Sequence, residues 1–348
     1  MIENRSSNWV ASQGKDITIG HESWDLIQFI MIGIRRAVGE AIALPNRALK
    51  PKDFELIVEF KYNGWLFKDH FPMAFKKIRE RLEIDTKMFM YSLGPERVFG
   101  NLLLGNLSAL SEIDSSGRSG SMFFRSSEGD YLIKTIPSNE EAVLKNILPA
   151  YVQHLQKYPN SLLIKLLGCY SLQTKSRAEM KFLVMNNLFF TPLPIAEKYD
   201  LKGSTIGRHQ ITIEDKMAQI ALKDLDFKRI LDIGTEFKAP LLEQIEHDTK
   251  FLESHNICDY SLLVGVHIID ENSPLALTSD DQNIGGILSK NKKEVYFIAI
   301  IDTLTPWNFS KQYENFFKSI IHDGTKISAI SPSAYRKRFQ ALIANIVQ

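Results

Sequence analysis

Six charged residues stand in or beside strand patterns, and their types suit phosphate chemistry. Lys134 lies inside the apolar run "YLIKTI" (131–136), where it must snorkel or point into a cleft. Asp302 sits directly on the end of "EVYFIAII" (294–301), a run rich in β-branched residues that reads as a buried strand. An unpaired carboxylate at the edge of a core is costly, so Asp302 calls for a salt bridge, a helix N-terminus or a metal ion carried by a ligand. In "ICDYSLLVGVH" (257–267), Asp259 comes just before another apolar strand, in a position to orient a hydroxyl; the plain alternative is the acid of an Asx-turn. "KYDLKGSTIGR" (198–208) gathers Asp200, Lys202, Gly203, Ser204, Thr205 and Arg208 into one turn. Two cations among small donors suit phosphate groups, with a solvated turn as the plain alternative.

Two further stretches fit the same chemistry. "SSGRSGSMFFRSSEGDYLIKTI" (115–136) reads as strand, small-residue turn and strand, and Gly117, Ser119, Gly120 and Ser121 leave backbone N–H groups open to an anion. It lacks a full G-x-G-x-x-G, and alone it reads first as a hairpin with a surface lysine. The following helix offers Glu140 and Glu141 as partners for Lys134, and the spacing does not choose between them. In a kinase-type site such a strand lysine holds ATP phosphates while a helix glutamate fixes it. "FLVMNNLF" (182–189) is a buried strand that breaks at Asn186-Asn187 as a hinge, so an adenine ring is expected near backbone groups of Val184 and Met185. Taken jointly, one strand lysine, two strand-adjacent aspartates and a second basic turn favour a kinase active site.

The elements that must position these residues follow from periodicity. "SWDLIQFIMIGIRRAVGEAIAL" is helical in spacing, with Ser23 as its cap and a face broad enough for either core burial or a homodimer contact. "FPMAFKKIRERLEIDTKMFMYSL" reads as one helix with a basic outer face. Strands follow over 117–136, a helix over 140–158, then two strands in "SLLIKLLGCYSLQT" and "AEMKFLVMNNLFF", and a helix over 240–257. Residues 1–20 read as a flexible tail and 270–292 as an insert of low hydrophobicity. The boundaries are then 21–185 for an N-terminal ATP-binding lobe and 186–348 for a C-terminal catalytic lobe.

Composition bounds the class. The chain has 348 residues, of which 44% are hydrophobic and 24% charged, enough for two lobes with sizeable cores. A net charge of +1 gives no global basic field, so nucleic acid is not an expected partner and any anion site is local. Cys169 and Cys258 match no metal-ligand spacing and fit a reduced, cytosolic setting. The first residues lack a secretory core, and "LIQFIMIGI" is too short to span a bilayer, so the expectation is a cytoplasmic protein or one attached to a membrane surface.

With these residues in view, the sequence resembles the phosphatidylinositol phosphate kinase family over roughly residues 20 to 348. The resemblance rests on "SGSMFF" with "YLIKTI", "LPAYVQHL", "LVMNNLF", "YDLKGSTIGR", "DYSLLVGVH", "EVYFIAIIDTLTP", "IHDGTKIS" and "SAYRKRF". "DLKGS" and "DYSLL" followed by "IID" are specific to that family, and no His-Arg-Asp or Asp-Phe-Gly segment of a protein kinase is present. It implies a two-lobed α+β lipid kinase fold, distantly like protein kinases, with an antiparallel sheet in each lobe and a requirement for ATP and Mg²⁺. It assigns Lys134 to the ATP phosphates, with Glu140 or the adjacent Glu141 as its partner. Asp302 is assigned to Mg²⁺, and Asp259 to the catalytic-loop acid near both the inositol hydroxyl and the metal. Lys202 then stabilises the transferring phosphoryl group, and Arg208 binds the phosphate already on the ring.

The resemblance also implies a specificity loop over 303–335. Phe309, Tyr313, Phe316, Phe317, Ile320 and Ile321 form one helical stripe. Periodicity alone fits a core-packed helix, whereas the resemblance aligns it with the membrane-facing, substrate-selecting loop. Glu314 then occupies the position that is acidic in the 4-phosphate 5-kinases and alanine in the 5-phosphate 4-kinases. The chain departs from the family pattern at Arg118, in the Gly-Ser turn, and at Lys311-Gln312, where the first subtype usually has paired lysines; one basic residue fewer weakens the attraction to an anionic membrane. The expected substrate is phosphatidylinositol 4-phosphate on the cytosolic face of the plasma membrane, with peripheral attachment. A 5-phosphate 4-kinase and an inactive inositide-binding scaffold are the alternatives.

Overall fold

The computed structural model describes residues 15–62, 64–96, 98, 110–113, 121–175, 178–205, 208, 221–270, 286–307 and 330–348. The chain divides into two compact units: Gly14–Pro159 with Lys165–Asn187, and Asn160–Ile164 with Leu188–Gln348. Each is a mixed α/β body around an antiparallel sheet.

The first unit holds strands β1 (Lys15–Asp16), β2 (Ile57–Tyr62), β3 (Trp65–His70), β4 (Leu110–Ile113), β5 (Phe123–Ser126), β6 (Tyr131–Ile136), β7 (Leu166–Gln173) and β8 (Met180–Asn186). They pair in the order β1-β4-β5-β6-β8-β7-β3-β2. Residues Lys15 and Asp16, read from sequence as tail, extend this sheet by pairing with β4, and Ser111 donates to Asp16 at 2.7 Å. Helix α1 (Trp24–Ile42) buries Ile27, Ile30, Met31, Ile34, Ala37, Val38 and Ala41 within this unit, so its broad apolar face belongs to the core. Gly33 permits the approach: a Cβ there would lie 2.1 Å from the Phe67 ring of β3. Ser23 makes no side-chain cap bond, and its carbonyl instead accepts from Ile27 N–H.

The basic segment expected as one helix is two, α2 (Pro72–Arg81) and α3 (Thr86–Leu93). Glu83 turns left-handed at φ 55°, and the Asp85 side chain caps the second helix by accepting from Lys87 N and Met88 N. Arg79 departs from the basic outer face: it is buried, donates to the Leu167 carbonyl at 2.6 Å and lies over the Phe89 ring. Helix α4 (Ser138–Lys157) then packs Leu144, Ile147, Leu148, Tyr151 and Leu155 inward.

The second unit is built on β9 (Glu197–Leu201), β10 (Ser261–Ile268), β11 (Ile287–Leu288) and β12 (Glu294–Ile301), ordered β11-β12-β10-β9. Strands β10 and β12 are buried along almost their whole length, which accounts for their unbroken apolar runs. Part of the expected insert, 286–292, is therefore structured through β11; residues 271–285 lie outside the described residues. Helices α5 (Thr235–Ser254) and α6 (Pro332–Ile346) complete this body. Asn160–Ile164, read from sequence as part of the first lobe, belongs here. Leu163 bridges to Ile300, and Asp248 of α5, fully buried, accepts from Ser161 Oγ at 2.8 Å, Leu162 N at 2.7 Å and Gln244 Nε2 at 3.0 Å.

Asp248→Ala strips this segment of three hydrogen bonds, one of them from the buried Ser161 hydroxyl. It should lower unfolding stability by about 2–4 kcal/mol, read as a shift in the urea midpoint. A change under about 0.5 kcal/mol, the level of an ordinary surface substitution, would show that the segment is held otherwise.

Candidate active site

In the first unit, β6 places Lys134 between Phe123 of β5 and Leu183 of β8. Its ammonium lies 5.8 Å from the Phe123 ring centre and 3.7 Å from Glu140 Oε2. Sequence leaves Glu140 and Glu141 undecided; the register of α4 separates them. Glu141 pairs with Lys181 at 2.5 Å and approaches buried His70, while Glu140 is the one that faces Lys134. The Lys181 pKa is raised above its ordinary value, first by this hydrogen bond. Both acids also occupy the first turn of α4, where the helix dipole favours them.

The other first-unit candidates divide in two. Ser121 is described, whereas Gly117, Arg118, Ser119 and Gly120 lie outside the described residues. Strand β8 is central, and Val184 and Met185 sit in ladders with β6 on one side and β7 on the other. Asn186 and Asn187 form a bonded corner: Asn186 Oδ1 accepts from Lys165 N at 2.8 Å, and Asn187 Nδ2 donates to the Gly129 carbonyl at 2.7 Å.

In the second unit, strand register does the gathering. Ser261 of β10 is opposite Ile301 of β12, and Leu262 is opposite Leu201 of β9. The residues next in line at that end of the sheet are Lys202, Asp259 with Tyr260, and Asp302. Lys202 Nζ donates to Asp259 Oδ1 at 2.9 Å and to the Asp259 carbonyl at 2.7 Å. Asp259 and Asp302 are both left-handed, at φ 65° and 59°, a conformation non-glycine residues adopt rarely and often where function requires it. Tyr260 anchors the backbone beside Asp259. It is wholly buried against Tyr335 and Phe339 of α6, and its carbonyl accepts the Tyr335 hydroxyl.

Asp302 itself corrects an expectation. It is exposed, so its carboxylate keeps water and the desolvation cost of a core-edge acid does not arise. Asp302 therefore stands at the surface, with no core charge to neutralise. Mg²⁺ takes one or two protein carboxylates and completes its shell with phosphate oxygens and water. Asp302 and the partly exposed Asp259, at one strand end, fit that demand. No group of three His, Cys, Asp or Glu forms a dedicated cage among the described residues.

Arg208 is the most enclosed of the charged candidates among the described residues, with its side chain 11% exposed. Its Nη2 donates to Asp200 Oδ1 at 3.0 Å and to the Asp200 carbonyl, and its Nε donates to Asp224 Oδ2 at 2.7 Å. Burial works against its charge, yet Asp200 and Asp224 outweigh that and hold its pKa above the ordinary arginine value. Asp224 was not a sequence candidate. Lys311 and Glu314, with most of the 303–335 loop, lie outside the described residues.

The family profile described as phosphatidylinositol-4-phosphate 5-kinase matches residues 104–285 and 275–346. The chain belongs to that family. It is 36% identical over 94% of its length to a phosphatidylinositol 4-phosphate 5-kinase of Plasmodium falciparum, covering 21% of that relative. It is 30% identical over 96% of its length to a probable phosphatidylinositol phosphate kinase of Dictyostelium discoideum, covering 59% of it. It is also 30% identical over 91% of its length to the human phosphatidylinositol 4-phosphate 5-kinase type-1 alpha, covering 64%. The chain thus spans from about a fifth to just under two thirds of these relatives.

At φ 59° an aspartate is strained relative to glycine by about 1 kcal/mol. Asp302→Gly should leave the thermal midpoint unchanged or raise it by a few degrees in calorimetry, while Asp302→Val lowers it. A clear loss of stability in the glycine variant would show that the carboxylate serves the fold.

Proposed function

We propose that this chain is an ATP- and Mg²⁺-dependent lipid kinase that phosphorylates the 5-hydroxyl of phosphatidylinositol 4-phosphate, giving the 4,5-bisphosphate. The observation that carries the reading is the gathering of Lys202, Asp259 and Asp302 at one end of β9, β10 and β12. The unit bearing Lys134 serves as the nucleotide-binding lobe and the unit bearing Asp259 as the catalytic lobe of a fold distantly like protein kinases. The names of the relatives support the 5-kinase assignment.

Phosphoryl transfer asks for positioning and charge neutralisation more than covalent chemistry. Lys134, held by Glu140, binds nucleotide phosphates, and the Gly-Ser turn at 117–121 covers them. The end of β8, at Val184, Met185 and Asn186, takes the adenine. Asp302 and Asp259 would hold Mg²⁺, which neutralises phosphate charge when bound. Asp259 orients the inositol hydroxyl, and its bond to Lys202 fixes the carboxylate for that task. Lys202 balances charge on the transferring group. Arg208, with Nε and Nη2 committed to carboxylates, has Nη1 for the phosphate already on the ring. Lys311, Glu314 and the Phe309–Ile321 stripe meet the lipid surface on the cytosolic face of the plasma membrane.

Turnover of ATP with individual phosphoinositide isomers in mixed vesicles, with the product isomer identified, tests the assignment. The 4-phosphate should be preferred, and Glu314→Ala should shift preference toward the 5-phosphate. A wild-type preference for the 5-phosphate would make the chain a 4-kinase, and no turnover of any isomer would make it a scaffold. Lys202→Ala should lower kcat by about 100- to 1,000-fold, the loss typical of removing one transition-state donor, with the KM for ATP little changed. Equal losses in both would move Lys202 to the nucleotide.

A further inference from the structure

Asp224, in "ALKDLDF" (221–227), has no part in the roles above, and its side chain is only 8% exposed. One oxygen, Oδ1, accepts from three successive backbone N–H groups: Lys202 at 3.0 Å, Gly203 at 2.6 Å and Ser204 at 3.3 Å. The other, Oδ2, accepts from Arg208 Nε at 2.7 Å. Successive N–H groups turned toward one point make a concavity for an anion. Here the anion is a side chain of the protein itself.

The carboxylate is held from behind as firmly as it holds. Leu222 N–H donates to the Lys198 carbonyl and Asp200 N–H to the Leu222 carbonyl, each at 2.8 Å, which lays the segment along β9. Asp226 accepts from Lys223 N at 3.1 Å, the Arg208 carbonyl accepts from Leu225 N at 3.0 Å, and Phe227 packs edge-on against Tyr199 at 4.9 Å. On the far side of the turn Gly203 is left-handed at φ 70°, and a Cβ there would lie 3.3 Å from Arg338 Cγ of α6. The 202–204 turn is thus clasped between a carboxylate and a helix.

We propose that Asp224 is a positioning residue of the transfer site, an internal anion that closes the 202–204 turn and so aims Lys202 at Asp259. The inference rests on the kinase reading for its catalytic consequence. Its structural half stands alone. Without the carboxylate, three N–H groups and one guanidinium edge lose their acceptor together, and the turn that carries Lys202 is free to open. Lys202 then no longer meets both Asp259 oxygens, and misplacement of a catalytic group by about 1 Å costs about 100-fold in rate.

The test uses the full chain and two readouts. The first is steady-state kinetics with ATP and vesicles containing phosphatidylinositol 4-phosphate. Asp224→Ala should lower kcat by about 100-fold with the KM for ATP within about twofold of wild type, and added formate, which fits the vacated carboxylate space, should restore part of the loss. The second is the rate of Lys202 acetylation by a soluble active ester, followed by mass spectrometry; it should rise severalfold in the near-isosteric Asp224→Asn, which keeps the side-chain volume if the alanine variant fails to fold. An unchanged kcat, or an unchanged Lys202 labelling rate, in a folded variant overturns the proposal. If wild type phosphorylates no isomer, the kinase reading falls by that result alone. Faster labelling in Asp224→Asn then still upholds the positioning of Lys202, and an unchanged rate overturns it.

Discussion

The register of β10 against β12 is the constraint on which the charged cluster of the second unit hangs. Ser261 opposite Ile301 brings Asp259 and Asp302 out at the same end of the sheet. Because side chains alternate between faces, a slip of one residue would carry every side chain of one strand to the opposite face and against different neighbours. Val264, Val266, Val295 and Ile300 are all buried, and their packing specifies the register to the residue. Apolar burial thereby locates two acids that contribute nothing to it. This division leaves an exposed carboxylate such as Asp302 at the strand end without weakening the fold.

Charge in this protein is organised by pairing. Lys134 meets Glu140, Lys181 meets Glu141, Lys202 meets Asp259, and Arg208 is shared by Asp200 and Asp224. Each pair involves partly or largely buried groups, where breaking one partner away costs more than the pair contributes. Their value is geometric: they fix where each cation sits. A net charge of +1 on 348 residues is the sum of such arrangements and conceals them.

Much of this was legible in the sequence, and the rest was not for identifiable reasons. The strand that begins after Asp259 and the strand that ends before Asp302 could be read because apolar runs start and stop abruptly there. The α2–α3 break could not be read from periodicity, which continues through it; the signal lay in Asp85, a capping residue followed by a fresh helical turn. Glu140 and Glu141 are equivalent until a helix register exists. Asn160–Ile164 changes unit through a buried acid, Asp248, 86 residues away from Leu162. Asp224 was invisible for the same reason: it lies 22 residues from Lys202, in a segment whose own pattern announces nothing. The exposure of Asp302 was likewise beyond one-dimensional reasoning, which treats a strand end as the edge of a core.

The bond from the Tyr335 hydroxyl to the Tyr260 carbonyl spans 75 residues of chain. Protein synthesis runs from the N-terminus, so β10 leaves the ribosome well before the helix that carries Tyr335. Until α6 is made, the backbone beside Asp259 lacks both this bond and the ring contacts of Tyr335 and Phe339. A nascent chain therefore carries Asp259 before the backbone beside it is anchored, and that end of the sheet is completed only when α6 docks.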